Sequence, residues 1–249
     1  LLGIITKKFK MPQVVGALLA GLIFGPAMLN ILKETNFIIQ LSELGVILLM
    51  FSAGLDTDLN ELKKTGKASF IIALFGVLIP LIGGFLVAYL FSDLDLMKEA
   101  TTNVLLQNIF IGVILTATSV SITVEALKEM GKLNTSAGTA ILGAAIIDDI
   151  LGIIALTIIS SMADTSVNVG FVLLKIVAYF IFVIVIGITS HKAFDIWMKY
   201  ENRDRRRFIT AALVFCLLLS YVSEEIFGVA DITGAFIAGL ILSNVERKT

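Results

Sequence analysis

The sequence predicts an all-α polytopic membrane protein, and three observations carry that prediction. Of the 249 residues, 57% are hydrophobic and only 16% charged, with mean hydropathy +0.98, whereas a soluble domain carries about a quarter charged residues. Apolar runs of about 18 residues or more, the length that crosses a hydrocarbon core, recur along the chain. The basic residues fall into alternate connections between those runs, which is how a chain threaded repeatedly through a bilayer distributes them.

Eight spans follow in order. The first (13–32) contains GALLAGLI and the small pair Gly21 and Gly25, a spacing suited to close helix packing. The second (37–55) carries ELGVILLMFSAGLD, and a polar stretch, DTDLNELKKTGK (56–67), leads to the third (68–91). The fourth (101–130) crowds five hydroxyls into ILTATSVSIT (114–123). The fifth (134–162) holds AAIIDDILGII, and the sixth (169–198) places the lone His191 near its end, where an interfacial histidine needs no special role. RDRRR (203–207) precedes the seventh span (207–227) and reads as a topology signal; the eighth (230–245) contains GAFIAGLI.

This threading puts Lys7, Lys8, Lys10, Lys63, Lys64, Lys67, Lys128, Lys132, Lys192, Lys199, Arg203, Arg205, Arg206, Arg207, Arg247 and Lys248 on one side, 16 of the 19 basic residues. Lys33, Lys98 and Lys175 fall on or near the other. The positive-inside rule makes the basic side cytoplasmic, and the expected location of this integral, multi-pass protein is the plasma (inner) membrane. The net charge of −1 says nothing about nucleic acid, and no interleaved basic patch suggests it, so no nucleic-acid partner is expected. The single Cys216, inside an apolar run, excludes disulfides and thiolate metal sites. No cofactor motif is present. The opening LLGIITKKFKMP reads as the tail of a truncated helix rather than a signal peptide, since no small-residue cleavage pattern follows.

GALLAGLI (16–23) and GAFIAGLI (234–241) share six of eight positions at an offset of 218. Seven span steps separate the copies, so they cross in opposite directions, the arrangement of an inverted-repeat secondary transporter. On that reading the repeat partner of the fifth span falls beyond Thr249, and the second repeat is expected to be truncated.

The candidate chemistry lies in the fifth span. Asp149 is roughly 22 Å along it, near the middle of a core about 30 Å thick. Carboxylates at that depth are rare and face a bundle interior or a wet cavity. Ser136, Ala140, Ala144, Asp148 and Gly152 form one face of small side chains, while Asp149 is turned about 100° away, toward a different neighbour. Burial and an adjacent like charge both favour the protonated form of an acid, so such a pair can hold either a proton or a cation. The hydroxyl run of the fourth span, including Thr118 and Ser119, reads either as helix–helix hydrogen bonding or as a broken helix whose free carbonyls help coordinate an ion.

TATSV (116–120) followed one helix later by AAIIDDILGI (144–153), with ELGVILLMFSAGLD (43–56) and GALLAGLIFGP (16–26), resembles the sodium/proton exchangers of the cation:proton antiporter superfamily. The resemblance covers most of the chain. It implies a dimer of inverted-repeat subunits in which a core domain with crossed, broken helices moves against a dimerisation domain. Carried over, residues 1–249 form a single transmembrane exchanger domain, expected to be a fragment because the second repeat is only begun. Within it 13–56 and 207–245 correspond to dimerisation helices, 68–162 to the first half of the ion-binding core, and 169–198 to the linker. Asp149 corresponds to the principal cation and proton site. Asp148 corresponds to the acid that pairs with a lysine from a later core helix, for which this chain offers no candidate. Thr118 matches the polar residue at the helix break; Ser119 stands where some relatives have an acid. The Asp-Asp pair implies the electrogenic type, exchanging Na⁺ (or Li⁺) for protons, with K⁺/H⁺ exchange as the alternative. The implied partners are monovalent cations, protons, membrane lipid and a second copy of the chain.

Other classes fit less well. Intramembrane aspartyl proteolysis needs two acids converging from different helices, and no GxGD motif occurs. A sodium-coupled organic-anion symporter on a related fold and a non-transporting sensor remain as further readings.

Overall fold

A computed structural model of the chain describes residues 2–9, 11–91, 104–163, 168–200 and 205–246. Lys10, Lys98, Arg203, Arg247 and Lys248 lie outside the described residues, as do the first residues of the fourth predicted span (101–103). Among the described residues all regular structure is helical: α1 (Leu2–Lys8), α2 (Gln13–Phe24), α3 (Asn36–Asp56), α4 (Leu59–Leu90), α5 (Val104–Ile114), α6 (Val120–Glu129), α7 (Ser136–Ala163), α8 (Val169–Tyr200), α9 (Arg205–Tyr221) and α10 (Asp231–Glu246). A π-helical turn, Val222–Ile226, extends α9.

Five of these are long and apolar enough to cross a membrane: α3, α4, α7, α8, and α9 with its π turn. The apolar helices α2, α5 and α10 are shorter. The outer surface is apolar as well. Ile181, Ile184, Val185 and Ile188 of α8 are all exposed, which suits contact with lipid rather than water. The chain is an all-α, multi-pass membrane protein.

The helix ends differ from the drawn spans for local reasons. The first span stops at Phe24 rather than 32, because Pro26 disfavours helical geometry at Gly25, which is extended (φ −76°, ψ −175°). The polar stretch after the second span is mostly helix. Only Thr57 and Asp58 join α3 to α4. Thr57 Oγ1 donates back to Ala53 O at 2.7 Å, and the Asp58 carboxylate accepts from Asn60 N at 2.8 Å, capping α4. The fourth span is two helices, α5 and α6, separated by residues 115–119.

Packing divides the helices into two groups. α4, α5 and α7 lie against one another, and α3, α9 and α10 form the second group. α8 contacts both groups, through α7 and α10. α6, although it follows α5 in the chain, sends Val120, Val124 and Leu127 into a core shared with Met50 and Phe51 of α3, Cys216 of α9, and Phe236 and Leu242 of α10. At one end of the bundle three helix termini meet. Gln13 N of α2 donates to Glu129 Oε2 of α6 at 2.6 Å, and Lys128 Nζ donates to Ser52 Oγ of α3 at 2.8 Å while lying 3.9 Å from Asp56 Oδ2. The charges complement the termini, an acid at the start of α2 and a base at the end of α3.

Candidate functional site

α7 is an uninterrupted helix, and the acids lie near its middle. The small face packs on α4: Ala140 and Ala144 are buried, and Ser69 Oγ of α4 donates to Ala140 O at 3.0 Å. Asp148 lies on the same face, and its Oδ1 is 3.7 Å from where a Cβ would stand on Gly76 of α4. Pro80, inside α4, has no N–H to offer the Gly76 carbonyl four residues earlier. Asp148 therefore borders a stretch of α4 with no side chain at position 76 and a backbone oxygen released from the helical ladder.

Asp149 faces elsewhere. Its Oδ2 accepts a hydrogen bond from Thr233 Oγ1 in the first turn of α10, at 3.4 Å. The two acids thus border different helices, one in each packing group. Both are partly buried, and among the described residues no lysine or arginine pairs with either.

The break between α5 and α6 is built from the hydroxyl run. Thr116 N and Ala117 N bond three residues back, to Val113 O at 3.0 Å and Ile114 O at 3.3 Å, tightening the last turn of α5. The Thr116 and Thr118 hydroxyls donate to Val113 O and Thr116 O at 2.7 and 3.3 Å. Ser119 stands at the head of α6 with extended backbone and no side-chain cap bond, and its carbonyl accepts from Thr123 Oγ1 at 3.2 Å. The end of α5 and the start of α6 bring opposite partial charges to one place. Both Thr118 and Ser119 are exposed, and no hydrogen bond joins either to Asp148 or Asp149. The structure therefore sets Asp148 against α4 and Asp149 against α10, and the hydrogen bonds of the two break residues are local to the α5–α6 break.

Thr233 is the site residue that the sequence did not single out. Its contact spans 84 residues, and nothing in ADITGAF alone points to α7.

Comparison with known proteins gives the family. A probable Na⁺/H⁺ antiporter of Bacillus cereus, GerT, is 41% identical over 100% of this chain and 63% of its own length. The Na⁺/H⁺-K⁺ antiporter GerN of the same organism is 39% identical over 100% of the chain and 61% of its own length. An Na⁺/H⁺ antiporter of Enterococcus hirae is 36% identical over 98% and 62%. The chain therefore spans a little under two thirds of each of these relatives. The profile of the transmembrane sodium/hydrogen exchangers matches residues 1–249, and the chain belongs to that family.

Proposed function

We propose that the protein is a secondary antiporter, not an enzyme, exchanging Na⁺ or Li⁺ for H⁺ by alternating access, with Asp149 as the group for which cation and proton compete. The observation that carries this reading is the partly buried Asp148–Asp149 pair on α7, set between α4 and α10. Occupancy by a proton removes the charge that attracts a cation, and a bound cation makes protonation unfavourable, so one site carries both ions in opposite directions. Asp148, beside Gly76 and the carbonyl released by Pro80, supplies the second acid. Thr118 and Ser119, at the α5–α6 break, would add hydroxyls and free carbonyls to the cation's coordination.

On this reading 68–162 is part of a moving ion-binding core, and 13–56 and 207–245 belong to the scaffold of a homodimer, linked by 169–198. The basic connections face the cytoplasm of a plasma membrane. The names of the relatives support Na⁺ and H⁺ as the ions, and the name of GerN supports K⁺ as a second cation.

The test is proton movement in vesicles carrying the protein. Adding Na⁺ or Li⁺ should release protons from the lumen, read by a pH-sensitive dye, and Asp149→Asn should abolish the signal with the protein still inserted and folded. Exchange surviving in Asp149→Asn would overturn the assignment. Replacing Na⁺ by K⁺ in the same vesicles separates the two cation readings.

A further inference from the structure

We propose that Thr233 is the positioning residue for Asp149, holding its carboxylate from the opposite packing group and thereby setting the balance between cation and proton. The inference deepens the antiport reading and rests on it. Three features of α10 lead to this role. Thr233 is only 2% exposed, and its hydroxyl lies within hydrogen-bond distance of Asp149 Oδ2, at 3.4 Å. Its hydroxyl is directed to Asp149 rather than back to Ala230 O, the carbonyl three residues earlier that accepts Thr233 N at 3.0 Å, whereas the interior threonines Thr157 and Thr189 both bond back, to Ile153 O and Val185 O. The neighbouring Gly234 presses the same turn onto α9, where an added Cβ would meet Leu219 O at 2.8 Å and Ser220 Cα at 3.0 Å. The start of α10 is thus fixed by α9 on one side and offers its hydroxyl to α7 on the other.

A donor aimed at a carboxylate favours the charged form over the protonated one. The hydroxyl can also turn its lone pairs to a cation bound at the carboxylate, since a threonine oxygen both donates and accepts. Both effects favour cation over proton. Asp148 is adjacent on α7, and Asp231 opens α10 two residues before Thr233, within electrostatic reach of Glu224 in the π turn, which also faces Glu225 and Glu43 of α3. α5 and residues 68–90 of α4 contain no charged residue. On α8, Lys175 lies over the Phe171 ring and His191 and Lys192 stand near the other end; on α6, Lys128 and Glu129 are engaged at the bundle end, with Glu125 one turn before them.

The experiment compares Thr233→Val, Thr233→Ala and Thr233→Ser in the full-length protein reconstituted in vesicles, with Asp149→Asn alongside. Valine keeps the shape and removes the hydroxyl, alanine serves if valine fails to insert, and serine restores the donor. The expected result for valine or alanine is an apparent KM for Na⁺ raised about tenfold near neutral pH, as for loss of a hydrogen bond to a charged group. The increase should shrink as pH rises and protons cease to compete, and the pH–activity profile should shift to the alkaline side. Serine should restore both. A merely structural role lowers the amount or maximal rate without moving KM or the profile, and that result would overturn the proposal. An unmoved KM with Asp149→Asn inactive removes Thr233 alone; exchange surviving in Asp149→Asn removes the reading beneath it.

Discussion

Gly239 offers the sharpest structural test, because it lies where α10 crosses α3. A Cβ placed there would stand 2.8 Å from Leu55 N and 3.0 Å from Gly54 C, and against Phe51 O. All three are backbone atoms of a helix, so no side-chain rotation relieves the clash. Restoring a separation of about 3.5 Å would push the two helices apart by about 0.7 Å at Leu55. Overpacking of that kind costs about 1–3 kcal/mol. Gly239→Ala should therefore melt below the parent protein in a detergent thermal-shift assay. Gly21→Ala and Gly45→Ala are the matched controls: nothing lies within 4 Å of either Cβ, and alanine is the better helix former by roughly 1 kcal/mol. Those two should melt at or above the parent temperature. Thr233 lies less than two turns before Gly239 on the same helix, so the displacement also lengthens the contact to Asp149 and should raise the apparent KM for Na⁺ without replacing any atom of the site. A Gly239→Ala protein as stable as Gly21→Ala would refute the close crossing and the chain of reasoning built on it.

Two further substitutions probe the interior around α4 and α5. Pro80→Ala restores an N–H to the Gly76 carbonyl, so α4 should become more stable by thermal shift; if that oxygen serves the site beside Asp148, exchange in vesicles should fall as stability rises, and unchanged exchange would remove the carbonyl from the site. Asn108 on α5 is 1% exposed with neither amide atom bonded, and an orphaned buried amide costs about 1–3 kcal/mol. Asn108→Leu should accordingly raise the melting temperature, and a lower one would show that the amide has a partner.

The parts of the fold that were legible in the sequence are those set by composition and by the helical repeat. Apolar run length located the helices, and the four-residue spacing from Ala140 to Ala144 to Asp148 gave the α7 face that packs on α4. The 100° step between adjacent residues separated Asp149 from Asp148. Helix ends were less legible although their signals were present. Pro26 marks the end of α2, and the spacing of Asp58 and Glu61 resembles a capping box that starts α4 well before residue 68. The hydroxyl run by itself left both a broken helix and an intact one open, because threonine bonds back to carbonyls in either. Thr233 was illegible for a stronger reason. Its role is a contact between helices far apart in sequence, and no local pattern encodes which first-turn threonine will meet an acid on another helix.

The same contact explains why two adjacent acids are not redundant. Asp148 faces α4, a member of its own packing group, so any movement of that group carries Asp148 and its surroundings together. Asp149 faces α10, in the other group, so its contact is the one that a relative displacement of the groups makes or breaks. On the antiport reading only the second acid changes its partners during the cycle, which suits it to exchange ions, while the first keeps a constant environment. Adjacency on one helix would give both properties: the acids would move as a unit, yet their side chains face helices of different packing groups. Were the two placed four residues apart on a single face, both would border α4 and neither would sense the displacement.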